Sequence, residues 1–260
     1  MSIELTCLGG AAAWPNPGQG CSSFLVRSDQ TTILVDAGPN TLLELRKHVD
    51  FHALEAIVIS HCHSDHILDL IPYRYGLVYG PDQSAQRIPV WLPPGGMTVL
   101  HNRAGALSGQ GENTDGFWDS VFTLNEYDPD NNLGVGSMEI SFARTAHLGL
   151  CYAMRIESAD GTTLIYTADT GTIESVLDLA RGSNILISEA TMPEDHERPG
   201  SGSGHLKPSE AGALANEAGV DTLVLSHLWS ERPDTEVLEA AGRSFGGKIV
   251  IAKPGLFVDA

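Results

Sequence analysis

Apolar residues occur in short runs along the first third of the chain. Ile3–Leu8, Ser22–Val26 and Thr32–Val35 are rich in branched or aromatic side chains and are bounded by Gly, Asp and Asn. That pattern predicts strands separated by turns. At Asn40–His48 the period changes: Leu42, Leu43 and Leu45 stand among polar residues at helical spacing. Ala56–Ser60 is a nearly continuous apolar run and reads as a buried strand. Ile67–Tyr79 predicts a helix interrupted at Pro72, and Pro89–Leu92 a short strand ahead of Pro93-Pro94-Gly95-Gly96. Arg103–Gly116 is poor in apolar residues and rich in Gly, Ser and Asn, so a substrate lid or a plain surface loop is expected there. Strands resume at Met138–Ala143, Cys151–Ile156, Thr163–Thr167, Asn184–Ser188, Thr222–Ser226 and Lys248–Ile251. Helices are predicted at Ile173–Leu179, Glu210–Ala218 and Thr235–Arg243.

Strands followed by helices, in two comparable halves, predict an α/β fold with a sheet-on-sheet core and helices outside. No solenoid period is present, and no linker rich in Gly, Ser or Pro divides the chain, so residues 1–260 are expected to form one hydrolase domain. At 260 residues and 42% hydrophobic, the chain can bury a sizeable core. No apolar run has the length of a membrane span. The opening Met1-Ser2-Ile3-Glu4-Leu5 carries an acid where a signal peptide carries a base, so a cytoplasmic location is expected. Cys7, Cys21, Cys62 and Cys151 show no C-x-x-C spacing, which suits a reducing compartment. Cys7 and Cys151 lie in apolar runs and are expected as small core residues. Fifteen bases against thirty-three acids, a net charge of −18, make a poor partner for nucleic acid, where Lys and Arg supply most of the affinity.

The candidate chemistry begins where the strand Ala56–Ser60 ends. The next residues are His61-Cys62-His63-Ser64-Asp65-His66. In extended backbone, His61 and His63 point to one face. Asp65 and His66 follow at a turn into a helix, so four ligand-type side chains curl around one point. Imidazole and carboxylate suit zinc, and also iron or manganese. His147, Asp169 and His227 share one local pattern: each follows an apolar branched run and precedes a loop.

At these residues the chain resembles the metallo-β-lactamase fold superfamily, whose H-x-H-x-D-H signature is matched by His61 to His66. His147, the Thr167-Ala168-Asp169-Thr170 segment (with Ala in place of the family's Gly) and His227 match the later ligand positions by order and context. The resemblance runs from Leu8-Gly9-Gly10 and Asp36-Ala37-Gly38 to the end of the chain. It implies a four-layer αββα sandwich with metals at one rim between the sheets. It also implies one ion on His61, His63 and His147, a second on Asp65, His66 and His227, and Asp169 bridging them. Seven donors suit two divalent ions better than one tetrahedral ion. Zinc is expected first, with manganese or iron as alternatives. The commonest β-lactamases carry Cys at the position of Asp169 and lack the equivalent of His66, which speaks against antibiotic hydrolysis.

Two further segments narrow the resemblance. Ser188-Glu189-Ala190-Thr191 resembles the H-E-A-T motif of the ribonuclease Z-like branch, with Ser188 replacing the His. Gly204-His205-Leu206, followed by Ser209-Glu210-Ala211-Gly212, resembles that branch's G-H-S/T motif leading into a helix. There the motif His, aided by the motif Glu, handles protons at the scissile phosphate. The resemblance therefore implies catalytic roles for His205 and Glu189 beside Asp65. The flanking Ser201 and Ser203 suggest a loop that can approach a substrate. The branch's basic Gly/Pro-rich arm for transfer RNA has no counterpart, because strands fill residues 148–168.

The expected activity is hydrolysis of small or cyclic phosphodiesters by water that the two ions activate, with His205 as proton donor to the leaving oxygen. A thioester or lactone hydrolase, ribonuclease Z-type RNA processing and a non-catalytic zinc protein are the other readings. The expected partner is a small-molecule phosphodiester, not a long nucleic acid or a membrane, and a homodimer is left open. Tyr73, Arg74, Tyr75, Trp229 and Arg232 lie near the motifs, either as substrate contacts or as packing.

Overall fold

Side chains on neighbouring positions of each strand join different clusters, and this sorting builds the layers. A computed structural model describes residues 2–81, 86–107, 116–196 and 204–260. Its first half runs β1 (Glu4–Ala11), β2 (Gly20–Cys21), β3 (Ser23–Ser28), β4 (Thr31–Val35), α1 (Thr41–Leu45), β5 (Ala56–Val58), α2 (Ser64–Ile67), α3 (Leu70–Tyr79), β6 (Ile88–Leu92), α4 (Gly96–Leu107) and β7 (Phe122–Glu126). Its second half runs β8 (Leu133–Val135), β9 (Met138–Arg144), β10 (Tyr152–Ser158), β11 (Thr163–Tyr166), α5 (Glu174–Ala180), β12 (Ile185–Glu189), α6 (Pro208–Ala218), β13 (Thr222–Ser226), α7 (Asp234–Gly242), β14 (Lys248–Ile251) and β15 (Phe257–Asp259).

One sheet has the order β15-β1-β3-β4-β5-β6-β7 with β2 beside β1, and the other β14-β13-β12-β11-β10-β9-β8. Each sheet is antiparallel on one side and parallel on the other, β4 to β7 in the first and β11 to β14 in the second. Period-two alternation then assigns the faces. Phe24, Val26, Ile33, Val35, Ala56 and Val58 meet Ile140, Met154, Ile156, Leu164, Ile185 and Ile187 between the sheets. Their neighbours Leu25, Leu34 and Ile57 face outward and pack with Leu45 of α1, Leu70, Tyr73 and Leu77 of α3 and Leu100 of α4. On the opposite side Leu186, Leu223 and Leu225 pack with Ala211 and Ala215 of α6 and Val237 and Ala241 of α7. The result is the expected helix–sheet–sheet–helix order. Each fully buried Leu, Ile or Phe contributes about 1.5–3 kcal/mol by leaving water. Cys7 and Cys151 are buried in the inter-sheet core, as expected.

Several expectations need correction. The helix expected over Ile67–Tyr79 is two helices, and the break falls at Leu68–Asp69, not at Pro72. Pro72 sits in the first turn of α3, where its missing N–H has no helical partner to lose. Asp69 marks the break instead, its carboxylate accepting the Asn40 N–H at 3.0 Å and the Leu42 N–H at 2.6 Å. Asn40–His48 is α-helical only over Thr41–Leu45. The lid or loop expected over Arg103–Gly116 does not include Arg103–Leu107, which is the last part of α4. Residues 108–115 lie outside the described residues. Strands β2, β7, β8 and β15 and helix α4 were not expected. Among the described residues, no helix is long and apolar enough to cross a membrane.

Parallel strands deliver their carboxyl ends to one crevice, the usual ligand position in α/β sheets. Asp36 follows β4, His61 follows β5, Asp169 follows β11, Glu189 ends β12 and His227 follows β13.

Candidate metal centre

The chain leaving β5 reaches His63, the N-cap of α2, which is extended with φ −67° and ψ 155°. The helix then begins at Ser64 and turns Asp65 and His66 back toward His61 and His63. The His61 ring lies 4.7 Å from that of His63 and 4.1 Å from that of His66, between centroids. Room for this turn comes from Gly38: a Cβ there would stand 2.0 Å from the Asp65 carbonyl oxygen. On the other sheet, Asp169 is preceded by Ala168 at φ 50°, and His227 itself has φ 55°. Left-handed backbone of this kind is strained for any residue with a Cβ and clusters at functional sites. At Ala168, where the family motif has Gly, the backbone holds a conformation that a Gly adopts without strain.

The structure brings all of the expected residues together. Asp169 lies at the middle. Its Oδ2 is 3.6 Å from His61 Nε2 and 3.7 Å from His147 Nε2. Its Oδ1 is 3.4 Å from His66 Nε2 and 3.5 Å from His227 Nε2. Asp65 Oδ2 is 3.2 Å from His227 Nε2 and 3.5 Å from His66 Nε2, and His63 Nδ1 is 3.1 Å from His147 Nε2. Ligand atoms of His61, His63, His147 and Asp169 lie within 4.8 Å of one another, as do those of Asp65, His66 and His227. A third group, Asp169, His205 and His227, meets the same limit.

The donors fit a cation. His61 Nε2, His66 Nε2 and Asp169 Oδ1 are buried with no hydrogen-bond partner among the described residues. Such orphaned atoms are costly unless something else satisfies them. Although His227 contacts Asp65 and His63 contacts His147, the converging nitrogens and carboxylate oxygens form a set able to bind metal. Burial, then the charge of His66, holds the His61 imidazole well below its usual range, and burial with His147 lowers His63. Both therefore favour the neutral form that ligates. Burial alone would raise both carboxyls, but the hydrogen bond from His227 and the charge of His66 hold Asp65 down. The charges of His227 and His66 likewise hold Asp169 well below the carboxylate range. Burial pushes His66 down, yet Asp169 and Asp36 outweigh it and raise it well above the imidazole range.

Outer hydrogen bonds fix which nitrogen each ring presents. Asp36, wholly buried, accepts from His66 Nδ1 at 2.7 Å, the Ser60 N–H and hydroxyl at 2.7 Å each, and the Tyr166 hydroxyl at 2.9 Å. The Ser60 hydroxyl lies 3.0 Å from His61 Nδ1. Glu189 repeats this plan on the other sheet. Its two oxygens lie 3.0 Å from His205 Nδ1, and it accepts the Thr170 N–H at 2.5 Å and the Thr191 hydroxyl at 2.9 Å. That hydroxyl lies 2.6 Å from His227 Nδ1. Each acid thus supports one imidazole directly and a second through a hydroxyl. His147 Nδ1 donates to the Gly204 carbonyl at 3.0 Å, so the segment that carries His205 also holds a member of the cluster. Burial lowers His205, but its hydrogen bond to Glu189 raises it above the usual imidazole range. Ser201 and Ser203 lie outside the described residues.

Asp36, Ser60, Thr191 and Tyr166 had not been singled out for the site. Asp36 did leave a signal, the polar end of an apolar run in the strand beside that of His61. Of the aromatic and basic residues near the motifs, Tyr73 is buried in the outer core, and Arg74 donates to the Phe117 carbonyl and lies over the Phe117 ring. Tyr75 stacks on Tyr79. These are packing. Arg232 donates to the Thr191 carbonyl at 3.0 Å, and Trp229 stacks on Trp14.

Comparison with known proteins agrees with this architecture. A family model described as "Beta-lactamase superfamily domain" matches residues 31–228. The "Probable metallo-hydrolase YhfI" of Bacillus subtilis (strain 168) is 31% identical over 258 residues, spanning 97% of this chain and 98% of that protein. The crystal structure of YhfI superposes with a TM-score of 0.86 at 27% identity and covers 100% of both chains. A ribonuclease Z of Halobacterium salinarum is 25% identical over 304 residues, 98% of this chain and 97% of that one. A diphosphatase of the PhnP family matches with a TM-score of 0.74 at 19% identity over 100% and 98% of the two chains, a likeness of fold.

Proposed function

This chain belongs to the β-lactamase superfamily as a metallo-hydrolase, and from that premise we propose that it hydrolyses small or cyclic phosphodiesters. The observation that carries the reading is the Glu189–His205 pair at the edge of the donor cluster. Two divalent ions, zinc foremost, would be held by His61, His63 and His147 and by Asp65, His66 and His227, with Asp169 shared. When bound they supply Lewis-acid charge to the phosphoryl oxygens and an activated water.

The chain's own residues do the rest. Asp65 is held by the Ala13 N–H at 2.9 Å and by His227, so its carboxylate is placed to orient the attacking water. Glu189 accepts from His205 Nδ1 and favours the charged form of the ring. The other ring nitrogen then carries a proton for the leaving oxygen as the P–O bond breaks. Thr170 and Thr191 hold Glu189 in place, so the donor is positioned before substrate arrives. A small substrate also fits the surroundings. A cavity of about 330 Å³ adjoins His61 and His63, lined by Pro93, Pro94, Val99, Arg103, Leu148 and Leu150. The net charge of −18 opposes a long polyanion.

The test is a substrate screen on zinc- and manganese-loaded protein. Model diesters and cyclic nucleotides should be turned over well ahead of a thioester, a lactone and a transfer RNA precursor near physiological salt. Efficient turnover of any of the last three with no diester cleavage would replace this reading.

A further inference from the structure

The loop that holds Asp65 ends in an exposed aromatic residue. Ala13 has φ 58°, a strained conformation for Ala, and in it donates its N–H to Asp65 Oδ2 at 2.9 Å. The next residue, Trp14, is 49% exposed. Its indole stacks on that of Trp229, with ring centroids 5.5 Å apart and planes 10° apart. Trp229 in turn lies two residues beyond His227, a reach of roughly 7 Å along the backbone. Both indoles are therefore tethered to residues of the second donor group, Trp14 through Ala13 and Asp65 and Trp229 through His227.

The pair is also rigid. Trp229 Nε1 donates to the Ala12 carbonyl at 3.2 Å. Ala12 N–H donates to the Leu228 carbonyl at 3.3 Å, and Trp14 N–H to the Ala12 carbonyl at 2.6 Å. The Asn16 side chain joins the two loops, donating to the Leu228 carbonyl at 2.9 Å and accepting the Ser230 N–H at 3.1 Å. A large indole held half in water by strained backbone and a web of hydrogen bonds is unlike a side chain left out of the core by chance. Stacking on Trp229 covers one face of Trp14, and the exposed remainder of the indole is a flat apolar platform on the residue next to Ala13, which bonds the donor Asp65.

We propose that Trp14, backed by Trp229, is a binding platform that stacks on the planar ring of the substrate, so that the preferred substrates are nucleoside or aryl phosphodiesters. The inference rests on the reading of the cluster as a phosphodiester site. Ring stacking on an aromatic side chain tolerates many ring types, so the platform selects for a planar group and not for one base. Association with it draws on the surface of the indole and requires no further charge near the metals.

The experiment reads binding and not turnover, so its outcome is separate from that of the substrate screen. Metal-loaded protein is titrated with adenosine 5′-monophosphate and with ribose 5-phosphate, which share the phosphate and sugar and differ in the ring. The ring should tighten binding by about tenfold or more, within the range of one stacked base, and should quench indole fluorescence. Trp14→Ala, with metal content checked, should bind the two ligands equally, and Trp14→Phe should keep part of the preference. Trp14→Leu keeps apolar bulk over Trp229 while removing the π face, and stands in if the Ala variant loses metal. Equal affinities in the unaltered protein, or a ring preference surviving in the Ala or Leu variant, would overturn the proposal.

Discussion

His66 Nδ1 donates to Asp36 Oδ2 across 2.7 Å at the floor of the donor cluster, and neither side chain is exposed. The bond directs His66 Nε2 toward Asp169 and Asp65. Through Ser60 the same carboxylate also steadies His61, so one acid orients two imidazoles.

Asp36→Asn should therefore leave the fold in place and weaken metal binding by about 10–100-fold, the usual loss when an outer partner of a ligand is removed. Competition with a chromophoric chelator reads this directly. Asp36→Ala strands the Ser60, Tyr166 and His66 donors in the interior and should also cost about 2 kcal/mol or more in a urea melt. Unchanged metal affinity in the Asn variant would show that His66 needs no such support.

Protein purified without chelator should carry close to two metals per chain by elemental analysis. Removing them should lower the melting temperature, because His61 Nε2, His66 Nε2 and Asp169 Oδ1 lose the ligand that satisfies them. A firm value of one metal that does not rise on adding zinc or manganese would leave half of the donors without a role.

Gly38→Ala tests the turn that brings Asp65 and His66 back over the rim. Its Cβ would meet the Asp65 carbonyl oxygen at 2.0 Å and the Cys21 Cβ at 2.8 Å, so α2 must move. Overpacking of this kind costs about 1–3 kcal/mol. Metal content should fall along with stability, whereas an outward-facing substitution such as Leu43→Ala should change neither.

His205→Ala should keep both metals and lower kcat by about 10²–10⁴ on a diester with a poor leaving group. The loss should shrink for a nitrophenyl diester, whose leaving oxygen departs with little need of a proton. Because His205 offers a nitrogen near Asp169 and His227, metal analysis of the variant is part of the measurement. Loss of metal would assign His205 to ligation. An equal loss on both substrates would make it a positioning residue.

Much of this architecture was legible in local pattern. Branched or aromatic runs at Ser22–Val26, Thr32–Val35 and Asn184–Ser188 mark strands, and the structure shows their alternate side chains entering different clusters. The run His61 to His66 marked the place where donors converge, because its spacing and its position after a buried strand are properties of a short segment. Four strands escaped notice. β2 has two residues and β8 and β15 three each, too short to carry a pattern, and β7 (Phe122–Glu126) has only two apolar positions, Phe122 and Leu124. The expected helix break at Pro72 failed for a positional reason: a proline interrupts a helix only beyond its first turn.

Local pattern carries the strands that flank the crevice and the run His61 to His66, since each depends on residues close together in the chain, while the four layers and the later donors His147, Asp169 and His227 rest on a resemblance of order and context along the whole sequence. Only the tertiary structure decided which residues stand behind those donors. Tyr166 donates to Asp36 across 130 positions, Thr191 meets His227 across 36, and Ala13 reaches Asp65 across 52. Trp14 finds Trp229 from the opposite end of the chain. Such contacts follow from how two sheets pack and where their strands end, and nothing in local periodicity encodes them.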